Sequence, residues 1–167
     1  MARYVGIPIL LLAAVLNATV MAEFRIGGGA PDLVFLIVVS WALLAGVQDA
    51  LLWAIIGGVM QDWFSVAPLG ASALGLVIVT FTADSLFGQI QRGNVIIPPL
   101  VAAAGTVVYH LGIIAALRTV DITVPLGEGL LYVTLPTMIF NGLVMLPVFR
   151  TVGLIHTWLT PRRVHLE

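Results

Sequence analysis

Asp62 and His110 are the residues whose chemistry would be most unusual in this chain: a carboxylic acid and an imidazole, each set in an apolar run. Brought together they could relay a proton or act as general acid and base. Ionisable groups at membrane depth are costly enough to need a reason. The plainer reading of His110, and the favoured one, is a hydrogen bond to a neighbouring helix, with Tyr109 beside it at the interface. No HExxH, nucleophile elbow, phosphate loop or pair of carboxylates at short helical spacing occurs. His110, His156 and His165 are too scattered to form a metal site. Cysteine is absent, which excludes disulfides, thiolate metal sites and a Cys nucleophile. The expectation is a protein that is not an enzyme and holds no cofactor and no metal.

Asp62 sits in GGVMQDWFSVAPLG, from Gly57 to Gly70. It falls near the C-terminal end of its helix, where the helix dipole disfavours an acid. Compensation must come from Arg25, from Arg118, or from backbone N–H groups at the start of the helix opened by Pro68. An internal partner would make Asp62 a staple between the third and fourth helices. Gly57–Gly58 offers a close-packing notch, and Pro68–Gly70 a turn into the next helix. Asp32, just after Pro31, favours the positive end of a helix dipole and reads as a helix-start residue before a ligand. Asn141 lies between Pro136 and Pro147 and reads as interhelical glue, worth about 0.6–2 kcal/mol in a membrane. These residues are candidates for structural or partner-binding roles.

The elements that must position them follow from composition. The 167 residues are 60% hydrophobic and only 9% charged, with a mean hydropathy of +1.13. Soluble domains carry roughly 25% charged residues, so this chain cannot cover a water-facing surface. A spanning helix needs about 20 apolar residues. The chain therefore reads as all-α: one polytopic membrane domain, residues 1–167, with about six transmembrane helices over 4–22, 31–45, 47–64, 68–87, 95–117 and 130–148. The first is read as a retained helix rather than a cleaved signal. Pro136 and Pro147 are expected to break the sixth, and a basic amphipathic tail over 150–167 is expected to lie on the membrane surface. Continuous apolar runs argue against a β-barrel. Asp49 and Asp62 are thirteen residues apart, roughly 20 Å along a helix, so either one of them is drawn inward or the bilayer is locally adapted. Arginine placement puts Arg3, Arg92, Arg150, Arg162 and Arg163 on one side and Arg25 and Arg118 on the other. Both termini are then cytoplasmic, with Asp32, Asp62, Asp121 and Glu128 outside.

PDLVFLIVVSWAL from Pro31, GGVMQDWFSVAPLGASAL from Gly57 to Leu74, and LPTMIFNGLVMLPVF from Leu135 to Phe149 resemble the rod shape-determining protein MreD family. That family shows a Pro-Asp-Leu helix start, then Gly, Asp and a Pro-Leu-Gly turn, and a Pro…Asn…Pro ending in this order. The first helix and the connection from Arg118 to Gly129 carry no matching motif. The resemblance implies a non-enzymatic subunit of the bacterial cell-elongation machinery in the inner membrane. It would bind the single-span protein MreC directly. It would help place RodA, a class B penicillin-binding transpeptidase and the MreB cytoskeleton in peptidoglycan synthesis. The family is also similar in fold to the substrate-binding subunits of energy-coupling-factor transporters, which supplies the alternative function of vitamin or metal uptake.

Overall fold

The structure, a computed structural model, describes residues 2–65, 67–87, 94–122, 127 and 129–160. Its organising element is α2 (Leu33–Ala45). Thirteen residues with only Ser40 polar leave no water-facing stripe, and a helix apolar all round belongs in an interior. Val34, Phe35, Leu36, Val38, Val39 and Trp41 are accordingly buried. Asp32 starts this helix as its N-cap, its carboxylate accepting from the Phe35 N–H at 3.0 Å. That satisfies a donor the helix cannot pair internally.

Around α2 stand α1 (Ala2–Leu16), α3 (Val47–Trp63), α4 (Ala71–Phe87), α5 (Ile97–Arg118) and α6 (Leu135–Leu159). Neighbours pack in the order α1, α3, α4, α5, α6, and each of them also touches α2. A π-helical turn at Asn17–Met21 extends α1, and another at Gly129–Thr134 precedes α6. Between α1 and α2 the chain folds back in a tight hairpin, bridged by Ile26 and Gly29. The hairpin lies against Tyr132, Pro136 and Thr137 at the start of α6. On the outer helices large apolar side chains face outward, among them Leu12, Ile55, Leu100 and Leu143. Two helical stretches, Ile97–Arg118 and Gly129–Leu159, are long and apolar enough to cross a membrane. Val5–Met21, Leu33–Ala45 and Ala71–Ser85 are shorter apolar helices.

Three expectations about element ends are corrected. Pro68 does not open α4. It begins a turn in which the Ala71 N–H donates to the Pro68 carbonyl at 3.1 Å, and Gly70 takes φ +98°. Positive φ at the third turn position is the type II geometry that glycine adopts without strain. Pro136 falls in the first turn of α6, where a missing N–H does no harm. Pro147 does not end α6 either, which runs on to Leu159. The Pro147 ring is on the exposed side, while Met145 and Val152 bury the same helix on either flank of it. Packing there outweighs one lost backbone bond. The expected tail is thus helical as far as Leu159, with His156 edge-on to Trp41, which itself stacks on Trp53 at 4.1 Å. Residues 161–167, with Arg162, Arg163 and His165, lie outside the described residues, as do Arg92 and Glu128.

Candidate functional site

Close packing brings the ends of α3 and α4 together. A Cβ on Gly58 would overlap the Ala73 backbone, and one on Gly57 would press into Val34 and Leu10. The pair therefore lets α4 approach on one face and α2 with α1 on the other. Four residues on, Asp62 is 2% exposed. Its Oδ2 accepts the Gly70 N–H at 2.7 Å, and both carboxylate oxygens receive the Ser72 N–H at 3.1 and 3.2 Å. Its partners are backbone donors at the start of α4, where the dipole of that helix is also favourable to an anion. Of the three compensations open to Asp62, neither Arg25 nor Arg118 is the one used. Asp49, at the other end of α3, is exposed.

The second carboxylate is wired differently. Asp32 Oδ1 accepts from Asn17 Nδ2 at 2.8 Å, and Oδ2 from Gln61 Nε2 at 2.7 Å. Asn17 Oδ1 in turn accepts the Leu33 N–H at 2.9 Å. The Asp32 N–H donates to Asn141 Oδ1 at 2.8 Å, and Asn141 Nδ2 donates to Thr106 Oγ1 at 3.0 Å. Thr106 closes the chain on the Ala102 carbonyl. One continuous polar layer thus crosses α1, α2, α3, α5 and α6. Each member is held by a rigid element, and most donors in it are spent on a named acceptor.

One acceptor is left over. Gln61 Oε1 is buried and has no hydrogen-bond partner among the described residues. Its amide cannot turn over to mend this, since that would set oxygen against Asp32 Oδ2. Two cavities flank it. One, of about 240 Å³, is lined by Asn17, Arg25, Asp32, Gln61, His110 and Thr137 among others, under the Gly28–Ala30 part of the hairpin. The other, of about 350 Å³, runs along Ala14, Ala18, Ala22, Arg25, Gln61 and Phe64. Trp41 Nε1, in the core against Trp53, is the other buried side-chain polar atom without a partner among the described residues, so such an atom does not by itself mark a place where something binds.

Of the residues singled out from the sequence, Asp32 and Asn141 meet directly. Asp62 and Gly70 also meet directly, in the neighbouring contact, with Gly58 a turn away and Pro68 in the turn itself. His110 is not an acid–base partner of Asp62, whose oxygens are taken. Its Nδ1 lies 2.8 Å from Thr134 Oγ1, just before α6, and its ring lies beside Tyr109. It lines the 240 Å³ cavity with Asp32. Asn17, Gln61 and Thr106 are the members of this layer that sequence reasoning missed. The available signal was an amide or hydroxyl interrupting an apolar run, and Gln61 was overshadowed by the acid beside it.

A family model described as rod shape-determining protein MreD matches residues 1–155. The match includes α1 and the connection after Arg118, where no motif stood out. No curated protein matches, and no solved structure does.

Proposed function

The chain belongs to the rod shape-determining protein MreD family, and from that premise we propose that it is a non-enzymatic scaffold of the cell-elongation complex that binds MreC. The family assigns it to rod shape determination and, with its apolar helices, to the membrane. In this reading the six helices cross the inner membrane with both termini cytoplasmic, and the Asp32 layer lies toward the outer side. By holding MreC the scaffold helps place RodA, the class B transpeptidase and MreB along the growing wall.

The observation that supports this best is how the polar side chains are used. Several hydroxyls, such as those of Thr80 and Thr151, only bond back to their own helix, but the amides and both buried acids tie one helix to another, from Asn17 through Asp32 and Asn141 to Thr106. Such a network holds a surface in shape, which is what a scaffold needs from its interior. Capture of MreC from native membranes by the tagged chain tests the proposal, with co-elution as the expected result. A chain that isolates as a monomer without affinity for MreC overturns it.

The alternative, a substrate-binding subunit of an energy-coupling-factor type transporter, draws on the 240 Å³ cavity under the hairpin. A solute site needs several converging polar groups. Of the acids expected to supply them, Asp32 is the only one among the described residues that lines that cavity, and Glu128 lies outside those residues. Asp62 is committed to α4, and Asp121 is exposed at the end of α5. Calorimetric binding of a vitamin or metal ion to the purified chain would reverse the ranking.

A further inference from the structure

With Asp62 sealed against α4, the height of the α3–α4 face is set by the polar side chains it still exposes. On α3, exposed Asp49 and exposed Ser65 bound it, sixteen residues apart, which is roughly 24 Å along a helix. Between them Leu52, Ile55 and Trp63 face outward. On α4 the outward stripe is Leu74, Ile78 and Phe81, and the next position in it, Ser85, is polar and exposed. Asp84 stands beside it, half-buried. From Gly70 in the turn to Ser85 is fifteen residues, roughly 22 Å. The hydrocarbon core of an ordinary bilayer is about 30 Å thick.

The helices beyond this face are taller. On α5 and just before it, exposed Ile96 and exposed Arg118 are twenty-two residues apart, roughly 33 Å, with Leu100 and Leu111 facing outward between them. Leading into and along α6, exposed Leu131 and exposed Arg150 are nineteen residues apart, roughly 28 Å. Contacts fix the register of α4 against α5. At the turn end, Pro68 and Ala71 line one groove with Ala116 and Thr119, so the two helices are level there. A Cβ on Gly112 would meet Gly75, and one on Gly105 would meet Val79. Continued in this register, Asp84 falls near the level of Leu100. Val95 and Ile96, both exposed, lie about one turn further out, roughly 5 Å. The missing height is at the end away from the α3–α4 turn.

Tilt does not remove the difference, because leaning the bundle shortens neighbouring faces together. A partner helix does not remove it either. A spanning helix carries about 30 Å of apolar surface and overhangs this face as much as lipid does. What can adapt is the bilayer.

We propose that the α3–α4 face binds phospholipid whose hydrocarbon is locally thinned, with one leaflet drawn in beside Asp49 and Asp84 by about 5 Å. Around α5 and α6 the bilayer keeps its ordinary thickness. In the orientation proposed above, the thinned leaflet is the cytoplasmic one. The inference rests on the membrane-spanning reading, but not on which protein the scaffold holds.

The chain has no cysteine, so single spin labels can be placed at Ser85→Cys and at Ile96→Cys. Each labelled full-length chain is reconstituted in dioleoyl phosphatidylcholine vesicles. Collision with oxygen then reports hydrocarbon, and collision with a water-soluble nickel chelate reports water. Ile96 is the further out of the two, so a flat bilayer can never leave it the drier. The expected result is the reverse order, Ser85 in water and Ile96 in hydrocarbon. Equal or greater nickel contact at Ile96 overturns the proposal. A second measurement uses the unaltered chain in vesicles mixing fourteen-carbon and twenty-two-carbon phosphatidylcholines. Lipid retained on gentle solubilisation should be enriched about threefold in the short chains, and equal retention overturns the proposal as well. Flotation with the vesicles separates the two readings. A chain that does not float removes the membrane-spanning reading and this inference with it. A chain that floats with the flat-bilayer order removes this inference alone.

Discussion

Asp32 and Asp62 are two acids of one bundle, close together, and they do different work. Asp62 is sealed: its oxygens face backbone N–H groups of the next helix, and it is 2% exposed. Asp32 is half-buried and faces side chains from α1 and α3, with a cavity and an unpaired amide oxygen beside it. A carboxylate answered by backbone donors has nothing left to offer a ligand. One answered by amides shares its demand with several helices, and a cavity lies beside it. The count of bonds is therefore a poor guide to function here.

This contrast can be broken by mutation, and the largest effect should come from outside both acids. Gly58→Leu drives a side chain into the Ala73 backbone, and no rotamer avoids it. Loss of the folded bundle is expected, more than about 3 kcal/mol, seen as failure to isolate a monodisperse chain. Next is Asp62→Ala, which strands the Gly70 and Ser72 N–H groups in a closed site. About 3 kcal/mol is expected by thermal or denaturant unfolding in micelles, and roughly half of that for Asp62→Asn, which keeps one acceptor. Asp32→Ala removes bonds to Asn17, Gln61 and Phe35, yet it should cost only about 1–2 kcal/mol, because water can enter the adjoining cavity and stand in for the carboxylate. Its larger effect should be on partner capture. If Asp32→Ala destabilises more than Asp62→Ala, the distinction between sealed and open acids fails. Smallest is Thr106→Val, which takes from Asn141 its acceptor at the far end of the layer. A drop of about 0.6–1 kcal/mol is expected by the same unfolding measurement, with binding unchanged.

Much of the helical plan was legible because its signals are local. Pro31–Asp32 marks a helix start wherever it stands in an apolar chain, and the Asp32 cap is that signal realised. The Gly57–Gly58 notch is equally local, since only a residue without a side chain allows that approach. The partner of Asp62 was legible only as one of several choices, because a backbone N–H belongs to every residue and has no letter of its own. The polar layer was illegible for another reason. Asn17, Gln61 and Thr106 are far apart in sequence, and whether they point at one another depends on how five helices rotate about α2. Pro147 misled because its cost is local while the packing that overrides it comes from α2 and α5.

The π-helical turns at Asn17–Met21 and Gly129–Thr134 each hold one more residue than an α-helical turn would over the same rise. They flank the 240 Å³ cavity, one ending α1 and the other leading into α6. In an alignment of lengths, each would be a site where a single-residue deletion is absorbed, since the helix can relax to α geometry without a break. Because the extra residue is taken up inside one turn, the segment beyond it keeps its face as well. Deleting Ala18 should leave Ala22 and Arg25 beside the same cavity, whereas a deletion in the α-helical part of α1 would swing them by roughly 100° about the helix axis. The turn is thus a place where the length of the chain can change without moving the surfaces that it carries.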